Sequence, residues 1–476
     1  MRLTFYLLVL FFAPVIEGVG TEGTGNVIIR GNAPGYAGEE IVFYSWTDQI
    51  SFTQVELFSV IIGENEQFSI DILIEGGPEY IYSNTGIYNL YMYIEPGKEY
   101  EVRLPEKTDK PVSDKLNPYF EGIPTHLAVL NHDSNELNAL IRTFDDMYEP
   151  LFGEFLVRLT VERDQGLLDS LQGAFNQRFS QSVHPYFNAY RNYKMAFLKI
   201  MSQMRTARSI SDSHFRSEPV LYNNVAYMEL FNQVYNRYFM FFSRTVRGKR
   251  IFDDINNNRS LTDLKNTLGT DPLLGEGRLF ELVILKGLHD SFYGSDFSRT
   301  GLLTVLDSLA SVTPYSEHIS IAGHIRSKVT RLLTGFKPPG FELMNRDGKM
   351  LSLSDFRGYY VYLNFCTAVS YSCLSEYEVL DRLKSKHGEN LKIVTVFIGD
   401  SYESMLEFLS KNDYEWEFLF YGNQPSILKE YDIRIYPSYY LIDRDGTLLM
   451  SPAPSPAEGF ERYLLRTLRN RRELSR

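Results

Sequence analysis

Residues 361–383 constrain this chain more than any other stretch: an apolar strand runs through a short turn into an amphipathic helix, and both cysteines of the chain lie at that junction. Val361-Tyr362-Leu363-Asn364-Phe365 is apolar and aromatic enough to be a buried strand. Leu374, Tyr377, Leu380 and Leu383 then recur at helical spacing. Cys366 falls at the strand end and Cys373 in the first turn of the helix. Helix N-termini favour a thiolate, because their free N–H groups and the helix dipole stabilise negative charge. The helix opens at Ser370, whose hydroxyl has no accessible two-electron couple. No His–Asp pair in the segment can activate it as a hydrolytic nucleophile. Serine is among the best N-cap residues, so the pattern predicts a capping role for Ser370.

Three further stretches surround this junction. Asn345-Arg346-Asp347-Gly348 reads as a turn and leads into Leu351-Ser352-Leu353-Ser354-Asp355-Phe356-Arg357-Gly358. Leu391 to Ile398 reads as a central strand rich in β-branched residues. Ile435-Tyr436-Pro437-Ser438-Tyr439-Tyr440-Leu441-Ile442-Asp443 opens an apolar strand with a proline, a residue that cannot donate to a sheet ladder. Taken in order with Asn364-Phe365, Cys373 and Glu376, these stretches resemble the thioredoxin superfamily, and specifically its exported TlpA-like branch. In that branch the strand-turn-helix reads roughly N-F-W-A-x-W-C-x-x-C-x-x-E. Cys373 matches the second motif cysteine, Ser370 stands where the nucleophilic cysteine belongs, and Cys366 replaces a tryptophan. The motif here is Ser-Tyr-Ser-Cys. The resemblance implies an α/β thioredoxin-like fold over residues 336–476 and a cis Pro437 facing the motif. It also implies that Tyr371, Ser372, Tyr436 and Pro437 form a surface that pairs with extended polypeptide, and that Cys373 alone is a buried resolving thiol and a weak nucleophile.

Six residues separate Cys366 from Cys373, and three states stay open for them. A disulfide would close a short loop and stabilise the fold by about 2–3 kcal/mol. The pair is otherwise two separate buried thiols, or a redox-cycling dithiol. Two function classes follow. One is a redox-impaired module that binds envelope proteins or extended peptides; the other is a thiol–disulfide oxidoreductase using Cys366 and Cys373. A purely structural role for the domain is a third reading.

Arg2, the apolar run from Leu3 to Ile16 and the small residues Gly18-Val19-Gly20 form a signal-peptide pattern over residues 1–20. The run is short of the roughly twenty residues that a membrane span needs. No cysteine lies near the cleavage site, so a lipid anchor is not expected, and the mature chain is placed in the periplasm or outside the cell with no stable membrane span. A net charge of −12 spread along the chain argues against nucleic acid as a partner. The basic end, Arg466 to Arg472, reads as the solvated finish of a last helix.

A length of 476 residues predicts about three domains. Residues 21–107 carry short strands separated by Gly, Asn and Pro turns, which implies an N-terminal β-sandwich. The stretches Gly63 to Ile70 and Ile94 to Tyr100 resemble the β-domain that often precedes TlpA-like domains. Residues 108–335 carry long segments with helical spacing, such as Leu167 to Met204, Val220 to Val246 and Leu302 to Leu333, and predict an all-α middle domain. Its aromatics, among them Tyr222, Tyr227, Phe231, Tyr235, Tyr238, Phe239, Phe241 and Phe242, read as a core face, with a ligand groove as the alternative. The eight histidines show no metal-ligand spacing. No metal or cofactor is implied, and no nucleotide or hydrolase fingerprint is present.

Overall fold

The computed structural model describes residues 23–471 except 112, 113, 115, 116, 118, 204 and 423. The expected signal peptide and Arg472 of the basic end lie outside the described residues.

Two sheets form the N-terminal region. The first has the order β4-β1-β7-β9, with β1 Gly25–Asn32, β4 Gln67–Ile74, β7 Glu99–Arg103 and β9 Ala128–Val129. The second has the order β3-β2-β5-β6-β8, with β2 Glu40–Trp46, β3 Gln54–Ile61, β5 Glu79–Thr85, β6 Tyr88–Ile94 and β8 Ile123–His126. Alternation places Ile41 and Phe43 of β2 inward with Val27 and Ile29 of β1, and one buried apolar cluster draws on both sheets. Gly86, at φ +57°, closes the two-residue turn between β5 and β6, a conformation that favours glycine. Strands β8 and β9 come after residue 107, where the composition changes, yet they pair with β6 and β7. Such a short return strand is set by long-range pairing, so no local apolar pattern announces it.

From residue 137 to 330 the described elements are helical. The longer ones are α1 Leu137–Tyr148, α2 Gln165–Arg178, α3 Pro185–Met201, α4 Val225–Val234, α5 Arg278–Ser291, α6 Arg299–Val312 and α7 Ser316–Thr330. The expected run from Leu167 to Met204 is two helices, because His184 caps a new helix that has Pro185 in its first turn. The run from Val220 to Val246 breaks at Arg237, which is left-handed at φ 48°. The aromatic set is chiefly core: Tyr227, Phe231, Tyr235 and Phe239 are buried, and Phe231 and Tyr235 sit with ring centroids 4.9 Å apart. Phe241 is exposed and Tyr222 is half-buried.

The C-terminal sheet has the order β11-β10-β14-β13-β12-β15-β16. Its strands are β10 Glu342–Asn345, β11 Met350–Ser352, β12 Tyr360–Thr367, β13 Leu391–Ile398, β14 Glu417–Phe420, β15 Ser438–Ile442 and β16 Leu448–Met450. Strand β12 runs parallel to β13 and antiparallel to β15. All eight residues of β12 are buried, as expected of a strand covered on both faces. The covering helices include α8 Tyr371–His387, α9 Tyr402–Ser410 and α10 Phe460–Asn470. Asn345 makes the first turn of this region by accepting from the Asp347 and Lys349 N–H groups at 3.0 Å each.

Candidate functional site

The site is built where central strand β12 gives way to α8. Ser370 has extended backbone angles, and its hydroxyl oxygen accepts from the Cys373 N–H at 3.4 Å. The side chain that would carry the chemistry of a dithiol motif is thereby engaged as a helix cap. Cys366 and Cys373 are both free and wholly buried. Burial pushes the Cys366 thiol well above its ordinary range, and the neighbouring Cys373 sulfur adds to this. Cys373 moves the other way: the neighbouring Cys366 thiol, in first place, favours its thiolate, and burial opposes this without prevailing. Two adjacent thiols thus have unequal acidity, with the more acidic one at the helix N-terminus.

Around them lies an aromatic stack. Tyr439 donates to Glu376 Oε2 at 2.8 Å and stacks on Tyr362 at 5.0 Å, which in turn stacks on Phe460 at 3.7 Å. Burial raises the Tyr439 hydroxyl far above its usual range, so it stays a donor to the carboxylate at any ordinary pH. The Tyr436–Pro437 peptide is cis. Tyr436 is half-buried, and burial above all raises its hydroxyl above the ordinary range, with the nearby Tyr421 and Cys373 adding to this.

A cleft of about 960 Å³ opens over this surface. Ser372, Glu376, Tyr436 and Pro437 line it together with Tyr293, just beyond α5, and Arg331, just beyond α7. Of the residues expected from the sequence, Ser372, Tyr436 and Pro437 come together at the cleft, with Cys373 and Cys366 beneath. Tyr371 is not among the lining residues and is 85 % exposed. Tyr293 and Arg331 were absent from the expected site. Nothing short-range connects them with residues 370–376, so only the packing of the helical region on the C-terminal sheet brings them in. Tyr439 and Glu376 carried a signal, since both lie inside the matched motifs. Among the described residues no group of three or more His, Cys, Asp or Glu side chains is arranged to hold a metal. No helix among them is long and apolar enough to cross a membrane.

Residues 334–450 match the AhpC/TSA family, and the C-terminal region has a thioredoxin-like fold. The thiol-disulfide oxidoreductase ResA of Bacillus cereus is 24 % identical over 168 residues, covering 35 % of this chain and 92 % of that protein. The thioredoxin-like protein YneN of Bacillus subtilis is 26 % identical over 115 residues, covering 24 % of this chain and 68 % of that protein. Among solved structures, the thioredoxin domain of a thiol-disulfide oxidoreductase from Bacteroides vulgatus covers 28 % of this chain and 97 % of its own, at 20 % identity and a TM-score of 0.27.

Proposed function

We propose that this chain is an exported, TlpA-type protein of the bacterial cell envelope whose thioredoxin-like domain binds extended polypeptide and is impaired in redox chemistry. The observation that carries this reading is the use of Ser370 as a helix cap above two wholly buried thiols. A disulfide substrate needs an exposed thiolate to attack it, and this surface offers a hydroxyl in that place. The cleft beside Tyr436 and Pro437 is open enough to admit a chain segment. The all-α middle domain then walls the cleft, and the N-terminal pair of sheets, read as a β-sandwich, packs on that domain through Ile50 and Tyr93.

A second reading, a thiol–disulfide oxidoreductase using Cys366 and Cys373, is favoured by the adjacency and unequal acidity of the two thiols. In that reaction Cys373 thiolate attacks a substrate disulfide and expels one substrate thiolate. Cys366 then displaces the other, so that two protein thiols become a disulfide and the substrate leaves as a dithiol.

Insulin reduction separates the two. The wild type is expected to show little turnover, while Ser370→Cys, which rebuilds a C-x-x-C motif on an intact scaffold, gains measurable activity. Robust wild-type turnover abolished by Cys373→Ser would establish the second reading instead.

A further inference from the structure

A second cavity lies away from the thiols, between the N-terminal sheets and the helical region, with a volume of about 250 Å³. We propose that it binds a small organic ammonium ion, held between the faces of Trp46, Tyr80 and Tyr222 and hydrogen-bonded to the carboxylate of Glu79.

The argument begins with charge. Three carboxylates line the cavity, those of Asp48, Glu79 and Glu317. Two are matched within the chain: His324 Nδ1 lies 3.0 Å from Asp48 Oδ2, and Arg278 lies 2.8 Å from Glu317 Oε1. Glu79 accepts from the Ser45 hydroxyl, and among the described residues it has no cationic partner. Glu79 is half-buried; a shielded carboxylate without a counter-charge is costly, and burial raises the Glu79 carboxyl above its ordinary range. A cation delivered to this wall supplies what the chain withholds.

The aromatic walls decide which cation. Ring faces attract cations through their quadrupole, most strongly when water is excluded. Each ring is fixed before any ligand arrives. Trp46 stacks on Tyr82 at 4.8 Å, and Tyr80 stacks on Tyr91 at 5.8 Å. The Tyr222 hydroxyl lies 2.8 Å from His318 Nε2, and His318 Nδ1 lies 3.2 Å from Glu281 Oε2, so a buried relay holds the ring. Three aromatic side chains beside one carboxylate with no cationic partner among the described residues suit an ammonium head on an apolar body better than a metal ion, which asks for several oxygen or nitrogen ligands. The volume corresponds to about eight waters at about 30 Å³ each, enough for a short alkyl chain.

Calorimetric titration of the full chain with n-butylammonium chloride at neutral pH tests the site. Saturable binding is expected, weakened at least tenfold by the near-isosteric Glu79→Gln, with no saturable binding of neutral n-butanol. A folded wild type that takes up no butylammonium, butanol binding as tightly, or an unchanged affinity in Glu79→Gln each overturns the proposal. A readout that leaves the cavity intact guards against a poorly folded variant. The chain has two tryptophans, so Trp416→Phe leaves Trp46 as the sole reporter. Its emission should shift with butylammonium and saturate, and a flat response would refute the assignment.

Discussion

At the scale of single residues, burial sets the chemistry. Cys366 and Cys373 differ in acidity because burial pushes the first thiol up, whereas the neighbouring Cys366 thiol favours the thiolate of the second against the burial they share. His126 shows the same principle without a catalytic setting. Burial pulls its imidazole from the ordinary 6.5 down to about 4, its ring packs edge-on against Tyr91 at 5.1 Å, and its buried Nε2 has no partner among the described residues. A base with a depressed folded pKa contributes stability that is present above pH 6.5 and lost as pH falls from there through about 4. Asp145 acts in the opposite sense. Burial raises its carboxyl to about 6, so its contribution is present below 3.8 and lost as pH rises through 6. The two offset each other in the wild type, and a substitution is needed to separate them. In His126→Phe the loss of stability between pH 7.5 and 4.5 should shrink by on the order of 2–3 kcal/mol, read from urea midpoints at the two pH values. An unchanged difference would mean that His126 binds its proton alike in the folded and unfolded chain. Very little of this was legible in the sequence, where His126 is one of eight scattered histidines. Ser370 and Cys373 were legible, because capping and helix register act over four residues.

At the scale of elements, close approach decides which glycines matter. Gly301 sits in the first turn of α6, where an added Cβ would stand 2.1 Å from the Ile255 carbonyl oxygen. Helix propensity alone favours alanine over glycine by about 1 kcal/mol. Displacing a backbone carbonyl costs more, typically about 1–3 kcal/mol, so Gly301→Ala should destabilise the protein by about 1–2 kcal/mol in chemical denaturation. Gly323 in α7 is the control. It is exposed with nothing within 4 Å of an added Cβ, and Gly323→Ala should stabilise by about 0.5–1 kcal/mol. The sequence treats the two alike, as glycines inside helical patterns. The helices themselves were largely legible, but the breaks at His184 and Arg237 were not read from apolar spacing, which runs through both.

At the scale of the whole molecule, a few polar side chains join regions far apart in the chain. Asn138 of α1 is 1 % exposed and makes a paired contact with Tyr93 of β6: its Oδ1 accepts from the Tyr93 N–H and its Nδ2 donates to the Tyr93 carbonyl, both at 2.8 Å. The amide continues the ladder of β6 beyond the end of β8. Asn138→Ala leaves a buried donor and acceptor unmet, and should cost about 2–4 kcal/mol in urea unfolding. A loss below about 0.5 kcal/mol would show that water replaces both bonds. Asn232 donates to the Gln49 carbonyl at 2.7 Å, and Tyr119 donates to Asp432 at 2.9 Å. The sequence alone determined the strand-turn-helix at residues 361–383, the central strand from Leu391 to Ile398, and the Ser370 cap. Each of these rests on periodicity, turns and capping that act between neighbours. Only the tertiary structure decided that β8 and β9 belong to the N-terminal sheets, that Tyr293 and Arg331 line one cleft with Pro437, and that Glu79 has no cationic partner among the described residues. These depend on distances between residues from about 30 to well over 100 positions apart, and the free energy that sets them comes from packing shared by the whole chain.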